Sequence, residues 1–165
     1  MSVVAGDIKF YLSGGAANAD PTASLGGVTS SVQVGTAIHS LFDSVSPEEA
    51  AAGEIEYRAI DIVNTNPTDI LEAAYLYISS ETTSASSTVA LGYDAAGTQS
   101  VATKYTAPGG GVTFSAPTSK ATGIALGDIA AAGGKKRIWL RLTITAGAAK
   151  LAGDAGQLSV TGGTA

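Results

Sequence analysis

His39 is the chain's single imidazole, so a Ser-His-Asp arrangement would have to use it. Asp43 follows closely, but no GxSxG motif accompanies the pair, and a structural or surface histidine is the expectation. Two carboxylate pairs, Glu48/Glu49 and Glu54/Glu56, have the residue types for general acid–base work. Glycosidic cleavage needs two carboxylates facing across a cleft, usually with aromatic platforms. The chain offers one Trp, six Tyr and three Phe, scattered along its length. Glu48 and Glu49 therefore read as first-turn helix charges, and Glu54 and Glu56 as a solvated strand face. Asp61, Asp69, Asp94, Asp128 and Asp154 are isolated in sequence and lack the DxDxDG spacing of a calcium loop. The glycine-rich pieces GGAANADPTASLGG and APGGGVTF match neither GxxxxGK[ST] nor GxGxxG, and read as turns or arms. The chain has no cysteine, which removes disulfides, zinc–thiolate sites, iron–sulfur clusters and thiol nucleophiles. These readings predict no enzyme activity, no catalytic residue, no metal and no cofactor.

One constellation is of a different kind. Arg137, Trp139 and Arg141 alternate with Ile138, Leu140, Leu142 and Ile144, and Lys135 and Lys136 stand just before them. In a strand, successive side chains point to opposite faces. The aliphatic set must face the core, which sends Trp139 outward between two arginines. That is an interface composition. Two covers are open for the Trp: a partner molecule, or a loop of its own chain with an arginine stacked on it. The expectation is an intermolecular contact by Arg137, Trp139, Arg141, Lys135 and Lys136.

The elements that must position these residues read as strands. Residues 7–13, 54–64, 71–79, 87–93 and 137–145 alternate, with a closing strand at 157–161. Weaker strands are expected within 32–42, 98–107 and 112–117. In 54–64 the phase slips at Ala59–Ile60, which implies a bulge or burial on both faces. Ser46, Pro47, Glu48 and Glu49 before Gly53 predict one or two helical turns. No segment keeps a helical period. The prediction is an all-β single sandwich domain over 1–165, Ig-like or jelly-roll, with helix under about a tenth of the chain. Residues 14–31 are expected to be a long arm or loop outside the independent core, packed on a neighbour, and 162–165 a mobile tail.

Composition narrows the partners. Of 165 residues, 45% are hydrophobic and only 14% charged, with about half the chain Ala, Gly, Ser or Thr. Nine Lys and Arg against 14 Asp and Glu leave −5, which opposes a nucleic-acid backbone binder. The N-terminus lacks a basic region followed by a long apolar run, so no signal peptide is expected. No stretch approaches the ~18 apolar residues of a span, so no membrane contact is expected either.

Several stretches resemble a family of small structural proteins of tailed bacteriophages. They are DIKFYLSGG, LFDSVSPEEAAAGEIEYRAIDIVNT, AYLYISSETTSASSTVALG, GVTFSAPT and LGDIAAAGGKKRIWLRLTITAGA, covering most of residues 7–149. The segment FDSVSPEEAAAGEIEYR, with the strand and Asn-rich turn after it, is the most specific. The resemblance implies a virion protein assembled in the host bacterial cytoplasm. Within that class a capsid decoration (cement) protein is expected, binding the major capsid protein and copies of itself, with no small-molecule substrate. The alternatives are a tail, baseplate or fibre-associated module, or a carbohydrate- or receptor-binding sandwich.

Overall fold

The computed structural model describes residues 2–37, 40–149 and 153–164. His39 lies outside them. Among the described residues nine strands form: β1 Ile8–Ser13, β2 Thr29–Gln33, β3 Glu54–Asn64, β4 Leu71–Ser80, β5 Ser87–Asp94, β6 Phe114–Ser115, β7 Ile124–Ile129, β8 Gly134–Ile144 and β9 Gln157–Thr164. They make a six-stranded sheet in the order β2-β1-β3-β8-β5-β6 and a three-stranded sheet in the order β7-β4-β9. Every pairing is antiparallel. Strand takes 44% and helix 9% of the described residues, so the all-β sandwich expected from the alternation is what forms.

The core lies between the sheets. Ile60, Ile62, Leu91, Ile138 and Leu140 meet Leu71, Ala74, Leu76, Ile78, Leu126 and Ile129 of the smaller sheet. β3 keeps an unbroken register against β8 from Glu54↔Ile144 to Asn64↔Gly134, without a bulge. The phase slip at Ala59–Ile60 instead reflects burial on both faces, since Arg58 to Asn64 are all buried.

The helix forms as the residues dictate. α1 spans Pro47–Ala52, and the Ser46 side chain accepts from the Glu49 N–H while the Glu49 carboxylate accepts from the Ser46 N–H. This reciprocal cap satisfies two otherwise unpaired donors. Gly53 ends it at φ 78°, a conformation that suits glycine.

Four expectations are corrected. Residues 14–31 do not stand outside the core as a free arm but pack on β3 of their own chain. Ser13 and Ser24 are fully buried, and Ser24 Oγ donates to the Ala59 carbonyl at 2.6 Å. The Ala59 N–H donates to the Ser24 carbonyl at 2.7 Å, and β2 begins inside the segment. The small side chains that looked too poor to order themselves suit close backbone packing on β3. Residues 162–164 are not a mobile tail but the end of β9. The weak strand expected at 98–107 is a crossing loop with a single bridge, Gly26↔Ser100, and the strand sought within 32–42 lies earlier, at β2. β7 was missed, because Gly127 at φ 68° and Asp128 interrupt its apolar alternation.

Candidate functional site

Two groups of charged residues are built into the large sheet, one on each face. On the core side, Glu54, Glu56 and Arg58 share the face of Ile60 and Ile62, toward the end of β3 where the polar residues replace the aliphatic ones. Glu56 is 6% and Arg58 0% exposed, so the expected solvated strand face is corrected: it points inward. The Arg58 guanidinium lies 5.4 Å from the centre of the Phe42 ring, in the segment leading to α1. Its Nη2 meets Asp43 Oδ1 at 2.8 Å and Glu56 Oε2 at 3.0 Å.

Lys104 enters this group from the loop after β5. The Tyr57 N–H donates to the Lys104 carbonyl at 2.7 Å, fixing the loop to the edge of β3 beyond the end of β1. The ammonium then reaches Glu56, Asp43 at 3.0 Å, Glu54 at 3.8 Å and Glu49 at 3.9 Å. Carboxylate oxygens of Glu49, Glu54 and Glu56 lie within 4.8 Å of one another, a metal-like spacing. The Lys104 ammonium is the cation among them. Asp43, placed near His39 in sequence, is spent on Arg58 and Lys104.

Four carboxyl groups against two cations leave an excess of two negative charges, and the site answers by holding a proton. Burial, a hydrogen bond with Glu56 and the charges of Glu56 and Glu49 push the Glu54 carboxyl up to about 8 from its ordinary 4.5. Burial opposes the charge of Lys104, but Glu56 and Asp43 outweigh it and hold the ammonium protonated. Burial likewise works against the Asp43 charge, and the Lys104 hydrogen bond, a backbone hydrogen bond and the charges of Lys104 and Arg58 together overcome it, lowering its pKa.

This has a consequence for stability. A carboxyl whose folded pKa lies above its unfolded value favours folding most below the unfolded pKa, and that contribution is lost as pH rises to the folded one. Stability should therefore fall between about pH 4.5 and 8 through Glu54. Glu54→Gln keeps a donor and removes the ionisation. It is expected to stabilise the protein at pH 8 to 9 by on the order of 2 kcal/mol and to change little at pH 5. Urea unfolding across this range tests it; a wild-type stability that stays flat from pH 5 to 8 refutes it.

On the outer face, Asp61 and Arg137 are direct cross-strand partners. Arg137 Nε donates to Asp61 Oδ1 at 3.0 Å and Nη2 to Oδ2 at 2.7 Å, a two-pronged pair, while Nη1 donates to the Gly97 carbonyl at 3.2 Å. Trp139 is 0% exposed in the isolated chain. Its cover comes from the chain itself. The loop leaves β5 on one side of β8 and reaches the edge of β3 on the other, at Lys104, so it must cross β8, and the Gly97 contact puts it on the Trp face. It is tied to the 14–31 segment by Val101 N–H donating to Leu25 O at 3.0 Å. A Cβ at Gly26 would stand 2.1 Å from the Gln99 carbonyl oxygen, so only glycine lets the two segments approach so closely.

The expected exposed interface face is thereby corrected. Arg137 and Trp139 are buried, and Arg141 is half-buried with its guanidinium 5.2 Å from the Phe114 ring centre rather than on the Trp. Lys135 is exposed and Lys136 half-buried. The cover belongs to the chain itself, as in the second possibility that the alternation left.

The isolated aspartates have separate local tasks. Asp154 accepts from the N–H groups of Thr83 and Ser84 at 2.7 and 3.0 Å and from the Ser87 hydroxyl. Asp94 accepts from Gly97 and Gln99 N–H, both at 2.9 Å, shaping the start of the crossing loop. Asp128 accepts from Ala73 N–H at 2.9 Å. Sequence reasoning missed the Lys104 cluster. The available signal was phase: Glu54, Glu56 and Arg58 are in step with Ile60 and Ile62, so a core face for the latter implies one for the former. Lys104 carried no such signal.

Among the described residues no helix is long and apolar enough to cross a membrane. Compared with family models, with curated proteins and with solved structures, the chain matches none.

Proposed function

We propose that this chain is a structural protein of a tailed-bacteriophage virion, and within it a capsid decoration protein that binds the outer face of the shell. The observation that carries this reading is how the charged residues are used. The segment most like phage structural proteins, residues 42–58, supplies the helix cap, Asp43, Glu49, Glu54, Glu56 and Arg58. These are the chain's best candidates for chemistry, and ion pairing with Arg58 and Lys104 ties them to one another across the domain. A sandwich whose charged groups tie loops to strands is suited to being a rigid building block rather than a catalyst. The low charge and the small-residue composition support repetitive packing.

The experiment is stoichiometry. Purified particles of the encoding phage are resolved on a gel, with band intensities referred to the major capsid protein. The expected result is a band in copies commensurate with the capsomers, released when the shell is dissociated. A handful of copies per particle moves the protein to the tail or baseplate, and its absence from particles refutes the reading.

A further inference from the structure

A sheet edge exposes a row of backbone N–H and C=O groups, and proteins guard such edges with short strands, charges, proline or bulges. Four edges end the two sheets here, β2, β6, β7 and β9. β6 is two residues long. β2 slips register against β1, and a lysine of β8 sits at its start, Lys135 Nζ donating to Thr29 Oγ1 at 2.6 Å. β7 carries Asp128, has Gly127 at φ 68°, and slips twice against β4. β9 has none of these guards. Its eight residues, QLSVTGGT, contain no charge and no proline. Both register slips in its pairing take up the extra residue in β4, so β9 itself runs on regularly. Among the described residues, no backbone–backbone bond outside the sheet ladders involves residues 157–164.

We infer that β9 pairs antiparallel with β9 of a second copy of this chain, joining two three-stranded sheets into one continuous sheet. The edge specifies its occupant, because only another extended backbone presents a matching ladder of donors and acceptors. Charge is compatible with a second copy here. Two chains of −5 meet with least repulsion where neither presents a charge. A two-fold antiparallel β9 pair brings no like charges opposite each other anywhere along its ladder. Leu158 and Val160 add a hydrophobic reason. They pack against the core cluster yet stay only partly buried at this rim, and the partner strand would complete their cover. The inference rests on this edge alone, so it can fail while the virion role holds, and the reverse.

The test is sedimentation velocity of the full chain from micromolar to millimolar concentration, with Ser159→Lys and Ser159→Glu. Ser159 lies opposite Tyr77, on the face away from Leu158 and Val160, so neither substitution enters the core. The wild type is expected to dimerise. Each single variant should keep its melting temperature and weaken the dimer by about tenfold or more, through like charges brought near the two-fold. Mixing the two variants should restore the dimer. Amide exchange in β9 should slow as wild-type concentration rises. A wild type that stays monomeric at millimolar concentration, a Ser159→Lys dimer as tight as wild type, or β9 exchange that ignores concentration would each overturn the inference.

Discussion

Asp61→Ala is expected to cost about 3–5 kcal/mol of folding stability, the range for breaking a buried ion pair by removing one partner. Asp61 is 1% and Arg137 3% exposed, so the guanidinium cannot turn to water when its carboxylate goes. Only the Gly97 carbonyl, at 3.2 Å, remains to it. The pair itself is a different matter from its breakage. Desolvating both charges offsets most of their attraction, so Asp61→Ala combined with Arg137→Met should recover much of the loss. Urea unfolding of the single and double variants measures this. A single-variant loss below about 1 kcal/mol, the value of an exposed pair, would show that water reaches Arg137.

Trp139→Ala is expected to cost about 3–5 kcal/mol of folding stability as well, in the isolated chain and with no partner added. The side chain is wholly buried on the face that the crossing loop passes over, so truncation leaves a cavity, and the loop is pinned at Gly97 and Lys104 and cannot simply collapse into it. Trp139→Phe should cost far less, because the indole N–H is buried without a hydrogen-bond partner and its loss removes nothing. Leu140→Ala, on the other face, should cost about 2–5 kcal/mol. Two adjacent residues on opposite faces thus become comparably important, where the alternation of residues 137–145 alone assigned Trp139 to binding and Leu140 to folding. Thermal melting of the three variants decides it, and an isolated Trp139→Ala domain as stable as wild type returns the indole to an interface role.

The second variant series bears on function too. If decoration depends on a rigid domain, Trp139→Ala should lose particle incorporation only in proportion to its loss of folded protein.

Local chemistry by itself determined much of this molecule. β3, β5 and β8 lie within a few residues of where the alternation put them, because a period of two is written in adjacent side chains. α1 starts and stops where Ser46, Pro47, Glu49 and Gly53 direct, because capping involves groups three or four residues apart. The same residues also told which side chains share a face: Ile138 with Leu140, and Arg137 with Trp139. They could not tell what lies over that face. The loop of residues 95–104 crosses that face and meets Arg137 at Gly97, and the cation of the Glu54–Glu56 group is Lys104, 48 residues from Glu56. Residues 14–31 are held by distant partners, Ser24 by Ala59 and Leu25 by Val101. Each of these contacts closes a long loop, and its position depends on where every intervening strand sits in the sheet order, a quantity that no local pattern encodes. Alternation divides a strand into two sides; only the assembled sandwich decides which of them meets water.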